Sequence, residues 1–267
     1  MTDLEPQWHV PPTELALSSD DVHAWRVPLE QPMARVRQLA QTLTDDERER
    51  AARFHFERDR RRFTVGRGVL RGIVGRYLGL EPGQVQFRYD LRGKPYLAEG
   101  LGDGALRFNL AHAHELALYA FTWGREVGVD LEYVHPMPEV TQIGTRFFSP
   151  RENAVLGTVP EGQRLEAFFH CWTRKEAYLK AIGEGLSRRL DQFDVSLFPG
   201  EPARLLYVEG DPQEAAHWSL QALTPGVGYV AAIVVERQGW QMRYWDWKWL
   251  TYTRSWASSR SSTRRAR

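Results

Sequence analysis

The chain is short of cysteine, of long apolar runs and of excess charge. Cys171 is the single cysteine among 267 residues. One cysteine closes no internal disulfide and builds no zinc site by itself, a usage that fits a reducing cytoplasm. It sits in the apolar-rich run Phe168, Phe169, His170, Cys171, Trp172, so it is expected as a buried small hydrophobe rather than a nucleophile. No stretch approaches the ~18 apolar residues of a membrane span. Met1 to Val10 carries acids and no apolar h-region, which argues against a secretory leader. Lys and Arg number 35 against 34 Asp and Glu, a formal net charge of +1. No global field therefore draws the protein to nucleic acid or membrane, and any anion must be held by local basic clusters. Gly-x-Ser-x-Gly elbow, Walker loop and dinucleotide fingerprint are all missing, and no histidines cluster with cysteine at zinc spacing.

The apolar share of 42% is enough to bury a core, and the length suits one large domain or two small ones. Residues 1–20 read as a Pro-rich lead-in. Val22 to Val27 reads as a strand. Thr44, with Glu47 three residues on, has capping-box spacing for a helix start. An arginine-dense stretch follows to Arg62, then a helix over Phe63 to Leu78, stopped by Gly79. Val85 to Tyr89, Leu106 to Leu110, Leu116 to Trp123 and Val127 to Glu132 read as strands. Helices are expected over Thr141 to Phe148, from Arg151 to Leu156, and over Gln163 to Ile182. Strands return at Phe193 to Leu197, Ala203 to Val208, Trp218 to Leu223 and Tyr229 to Val235. Each half thus offers helices and a strand run. The expectation is an α+β fold of two similar halves, 21–124 and 125–250, followed by a tail over 251–267. That tail has five arginines and no acids. It reads as a solvated arm or as a contact for an acidic partner.

Four groups of residues carry candidate chemistry. Asp130 and Glu132 alternate with Leu131, so both project from one strand face. Two such carboxylates repel unless a cation joins them, and hard oxygen ligands suit Mg²⁺; a pair of solvated acids at a strand end is the plainer alternative. Glu176 and Lys180 lie four apart on the long helix and share a face. They read as a surface ion pair, or as a third carboxylate and a phosphate partner beside the first two. Arg50 and Arg53 stand in the basic stretch with Arg48, Arg58, Arg60, Arg61, Arg62, Arg67 and Arg71, and Gly93-Lys94-Pro95 is a tight turn that can approach a phosphate. Asn109 and His112 fall at the end of an apolar strand, where structural and ligand roles are both open.

In chain order these pieces resemble the Sfp-type 4′-phosphopantetheinyl transferases. The supporting motifs are Arg50-Ala51-Ala52-Arg53-Phe54, Gly93-Lys94-Pro95 and Phe108-Asn109-Leu110-Ala111-His112. The specific ones are Gly128-Val129-Asp130-Leu131-Glu132 and Trp172-Thr173-Arg174-Lys175-Glu176-Ala177-Tyr178-Leu179-Lys180, followed by Gly183 and Gly185-Leu186. The resemblance spans about residues 45–235. It implies a pseudo-dimer of two α+β halves with the active site in the cleft between them. It implies Mg²⁺ on Asp130, Glu132 and Glu176, with Lys180 on the coenzyme A pyrophosphate. Arg50, Arg53, Gly93, Lys94, Pro95, Asn109, Ala111 and His112 are then coenzyme A contacts. The chain departs from the family at Ala111 and Ala113, where hydroxyl residues are usual. Loss of a phosphate contact there is expected to cost ~1–2 kcal/mol of binding.

The implied reaction is attack of a carrier-protein serine on the β-phosphate of coenzyme A. It yields holo-carrier and 3′,5′-ADP, an activity of holo-[acyl-carrier-protein] synthase type. Glu176 is expected as base, directly or through water, Asp130 as a further catalytic group, and Lys180 as partner of the leaving group. The protein is expected to be a cytoplasmic monomer that binds coenzyme A and an acyl- or peptidyl-carrier protein, with no nucleic-acid or membrane partner. Phe147, Phe148 and Leu156, with Arg146 and Arg151, are expected either to dock the carrier or to pack in the core. Three other classes compete: a non-catalytic coenzyme A- or carrier-binding protein, a metal-dependent nucleotide phosphohydrolase, and a nucleic-acid binder resting on the Arg-rich tail, whose binding would fall steeply with salt.

Overall fold

The computed structural model describes residues 7–91, 93–183 and 188–248. The expected basic tail and the Gly185-Leu186 pair lie outside them. β1 (Asp21–Pro28) is the inner strand of the first sheet. Val22, Ala24, Trp25 and Val27 are fully buried along it. β5 (Leu116–Trp123) pairs with it antiparallel, and β4 (Leu106–Ala113) pairs antiparallel with β5. On its other side runs β11 (Gln241–Asp246), parallel, so the end of the described chain returns to the first sheet. The sequence reading stops its strands at Val235 and omits β11, in which only half the residues are apolar. It also omits the helix α1 (Met33–Ala40).

The second sheet has the order β6 (Val127–Tyr133), β10 (Tyr229–Glu236), β9 (Trp218–Leu223), all antiparallel. Two ribbons, β2 (Phe87–Tyr89) with β3 (Pro95–Leu97) and β7 (Phe193–Val195) with β8 (Leu205–Val208), complete the strands. The remaining helices are α2 (Asp45–Ala52), α3 (Glu57–Leu78), α4 (Val140–Phe147), α5 (Pro150–Thr158), α6 (Glu161–Ile182) and the short α7 (Glu214–His217).

Strand alternation makes the layers. Trp25, Val27, Tyr119 and Phe121 turn toward α3, packing on Val65, Val69, Leu70 and Ile73. Val22, Ala24, Leu118 and Ala120 turn the other way and meet Val127, Val129, Leu131 and Ile233 of the second sheet. Ala232 and Val234 of β10 face α6 at Ala177, Tyr178 and Ala181. The order is helix, sheet, sheet, helix: two α+β halves packed back to back through their sheets. Cys171 is fully buried in the second half, and burial pushes its thiol pKa well up. Phe148 and Leu156 are core residues at 3% exposure each. Of the three apolar docking candidates only Phe147 reaches the surface, where the Arg146 guanidinium lies 5.2 Å from its ring centre.

His23, buried, and His170, half-buried, weaken this fold in acid. His23 Nδ1 and the Tyr77 hydroxyl share a hydrogen bond at 2.7 Å, and that oxygen accepts from Trp25 Nε1 at 2.9 Å. Burial brings His23 down to about 4, and burial with the nearby Arg174 brings His170 to about 4. Both rings titrate near 6.5 once unfolded. The unfolded chain therefore binds more protons between those values, and stability falls with pH there. Between about pH 6.5 and 4 each histidine is expected to take away up to about 3 kcal/mol of stability as pH falls, while Glu132, pushed up to about 7 by burial, adds stability as it protonates, so the histidine slope is read as the difference between the urea-midpoint profiles of wild type and variant. His23→Gln should remove about half of that slope; an unchanged slope counts against the assignment.

Candidate active site

Gly128 lets the site assemble. On β6, Val127, Val129 and Leu131 face the first sheet, so by alternation Gly128, Asp130 and Glu132 face α6. A Cβ on Gly128 would stand 2.0 Å from the Ala177 carbonyl oxygen and 2.4 Å from the Ala181 nitrogen. The helix backbone therefore lies directly on the strand backbone. Glu176 and Lys180, the neighbours of those two alanines, come down beside the two strand carboxylates. Lys180 Nζ is 2.6 Å from Asp130 Oδ1.

The three acids share one field. Burial raises the Asp130 pKa against the opposing pull of Lys180. Glu132 is pushed up to about 7 by burial, then by Asp130 and by Glu176. Burial, then Asp130, raises Glu176. Asp130 Oδ2 is buried with no hydrogen-bond partner. Among the described residues, no three His, Cys, Asp or Glu side chains already close on a single point as a metal cage. The donor set nonetheless suits a hard divalent ion. With all three acids ionised, one ammonium against three carboxylates leaves two negative charges, and Asp130 keeps an oxygen without a partner.

The first half meets this cluster across the seam. Asn109 Oδ1 accepts from the Val129 N–H at 3.0 Å, tying β4 to β6. Ala111 packs in the seam with Leu118, Val129 and Leu131. A hydroxyl at 111 would enter that packing. Lys94 Nζ donates to the Lys180 carbonyl at 2.6 Å, which places a first-half cation at the C-terminal turn of α6. Lys94 borders a cavity of about 380 Å³ with Tyr96, Arg107, Phe108 and Glu126.

A second cavity of about 370 Å³ lies on the other side of the Gly93-Lys94-Pro95 turn. Gly93, Pro95, Arg50, Ala113 and His112 line it, as do Phe54, Phe63 and Arg67. His112 lines that cavity, and its pKa is lowered first by desolvation, then by the charges of Lys180 and Arg62. Arg53 is exposed where α2 ends and is not part of the lining. The structure thus brings Arg50, Gly93, Pro95 and His112 to one cavity and sets Asn109, Ala111 and Arg53 apart from it. Asp59, Phe63, Arg67 and Leu70, which the sequence reading did not assign to a site, line the cavity at i, i+4, i+8 and i+11 of α3. That helical stripe was available from the sequence.

Two family models match the chain: the 4′-phosphopantetheinyl transferase N-terminal region over residues 25–123, and the 4′-phosphopantetheinyl transferase superfamily over 126–234. The 4′-phosphopantetheinyl transferase HetI of a Nostoc species is 46% identical over 244 residues, 91% of this chain and all of that protein. A putative 4′-phosphopantetheinyl transferase of a Synechocystis species is 32% identical over 74% of this chain and 78% of its own length. Bacillus subtilis Sfp is 30% identical over 58% of this chain and 66% of its own. With both halves matched, and with Asp130, Glu132, Glu176 and Lys180 gathered at the seam, the chain belongs to the 4′-phosphopantetheinyl transferase family, Sfp-like type.

Proposed function

We propose that this protein moves the phosphopantetheine arm of coenzyme A onto a serine of an apo acyl- or peptidyl-carrier protein, leaving holo-carrier and 3′,5′-ADP. In this reading it is a holo-[acyl-carrier-protein] synthase type enzyme acting in the cytoplasm as a monomer. The carrying observation is the convergence of Asp130, Glu132, Glu176 and Lys180 where α6 lies on Gly128. Among the described residues no helix is long and apolar enough to cross a membrane.

Phosphoryl transfer is governed by placement and charge neutralisation. Asp130, Glu132 and Glu176 would hold Mg²⁺, which when bound offsets charge on the pyrophosphate oxygens. The nucleotide enters the cavity of Arg50 and His112, and its pyrophosphate reaches the acidic cluster past the His112 ring. Glu176, with its raised pKa, takes the proton of the attacking serine hydroxyl. Lys180 faces the β-phosphate–oxygen bond that breaks and stabilises charge on the departing 3′,5′-ADP. Lys94 holds the carbonyl of Lys180 and so fixes the turn that carries it.

Intact-mass analysis of an apo-carrier mixed with the protein, coenzyme A and Mg²⁺ tests this. One phosphopantetheine is expected on the carrier, and a chelator should abolish the gain. Steady coenzyme A cleavage without carrier would instead mark a hydrolase, and binding without turnover a non-catalytic coenzyme A- or carrier-binding protein.

A further inference from the structure

We infer that Arg67 is a specificity-determining contact to the phosphate at the far end of the bound nucleotide, the 3′-phosphate of coenzyme A. The identity of that nucleotide rests on the transferase reading; the anion site itself does not.

Arg67 and Arg71 stand one turn apart on α3 and share a single carboxylate, Glu47. Arg71 is fully satisfied. It reaches Glu47 at 2.6 Å, the Val85 carbonyl at 2.7 Å, the Pro82 carbonyl at 3.0 Å and Thr44 Oγ1 at 3.3 Å. Glu47 also accepts the Thr44 N–H at 3.1 Å. Arg67 reaches this occupied carboxylate only at 3.6 Å. It is 8% exposed, and its Nη1 is buried without a hydrogen-bond partner. A buried guanidinium nitrogen left unpaired is costly. Arg71 therefore holds the fold, while Arg67 carries bonding capacity that the protein itself does not use.

Arg67 also lines the cavity of about 370 Å³. The Arg67 guanidinium lies 5.9 Å from the Phe63 ring centre and 5.5 Å from that of Tyr89. Arg50 lies 5.6 and 5.8 Å from the same two rings. Among the described residues Arg50 has no carboxylate within ion-pair distance, whereas Arg62, also in the lining, reaches Glu30 at 2.8 Å. Asp59 is the lone acid of the lining. Two guanidiniums around a pair of rings, Arg67 with a donor to spare and Arg50 with no ion pair among the described residues, suit a phosphate beside a flat base. The reacting pyrophosphate belongs at the other end, past His112, with Lys180. The anion at Arg67 is then a second phosphate on the same molecule.

Calorimetric titration of the whole protein with 3′,5′-ADP and with 5′-AMP tests this. The wild type should prefer 3′,5′-ADP. R67Q should cut that preference at least about tenfold, the scale of one hydrogen bond to a charged group, with 5′-AMP affinity within about twofold of wild type. R67K keeps the charge without the planar fork and should fall between. If R67Q folds poorly, R67K alone decides: an undiminished preference there overturns the inference. It is also overturned if R67Q keeps the full preference, if both nucleotides weaken equally, or if the wild type shows no preference. A wild type that prefers 3′,5′-ADP yet modifies no carrier would defeat the transferase reading and leave this site standing.

Discussion

Replacing Glu176 by glutamine, or Asp130 by alanine, is expected to lower carrier modification by about 10³-fold or more while the fold survives. A positioned general base contributes ~10²–10⁴-fold. Glutamine keeps the shape of Glu176 but neither takes a proton nor carries charge for a divalent ion. Asp130→Ala removes the acid whose Oδ1 meets Lys180 and whose buried Oδ2 has no partner. Stability should move the other way from activity. Burial raises the pKa of Asp130, Glu132 and Glu176; Asp130 raises both glutamates further, and Glu176 raises Glu132. Unliganded, they strain the fold. Removing one relieves repulsion, and Lys180 keeps partial access to water, its side chain 30% exposed. Melting temperature is expected to hold or rise as turnover collapses. Initial rates of holo-carrier formation and thermal melts on the same preparations check both halves. Near-normal turnover in either variant removes these acids from the mechanism.

The elements carrying those acids were readable from the residues because each announces itself locally. The Val127 to Glu132 alternation and the helical stripe of 163–182 depend on side chains a few positions apart. What lay beyond local pattern was partnership. Asn109 looks the same in sequence whether it faces a phosphate or, as here, the Val129 N–H. Ala111 reads as a lost hydroxyl until its neighbours prove to be Leu118 and Val129. Lys94 reads as a phosphate contact, and its reach to the Lys180 carbonyl spans 86 positions that no spacing rule covers. β11 was missed for a related reason. Its alternation, Met242 and Tyr244 against Gln241 and Arg243, covers only four residues, and its place is set by pairing with β1, more than 200 residues earlier. Arginine density around 48–62 gave the sign of the charge but not its division. Arg71 is structural and Arg67 uncommitted because one carboxylate, Glu47, is closer to the first.

Gly128→Ala is the smallest substitution expected to disable the site, and its effect separates placement from chemistry. No acid, lysine or cavity residue changes. The added methyl would sit 2.0 Å from the Ala177 carbonyl oxygen and 2.9 Å from the Ala181 Cα. These are backbone atoms of a 22-residue helix, so no side chain can swing aside, and α6 must lift from β6. Overpacking of this kind costs about 3 kcal/mol. The lift carries Glu176 and Lys180 away from Asp130 and Glu132 together, and a misplacement of about 1 Å costs roughly 10²-fold in rate. The expected variant is folded at low temperature, melts earlier, and transfers the arm at a hundredth of the normal rate or less. Its cavity around Arg50 and Arg67 lies against α3, away from the clash, so affinity for 3′,5′-ADP should change little. That split, nucleotide held but transfer lost, reads the strand–helix contact directly. Equal loss of both would mean the damage spreads through the seam into the first sheet, and full activity would mean the helix does not lie on the glycine.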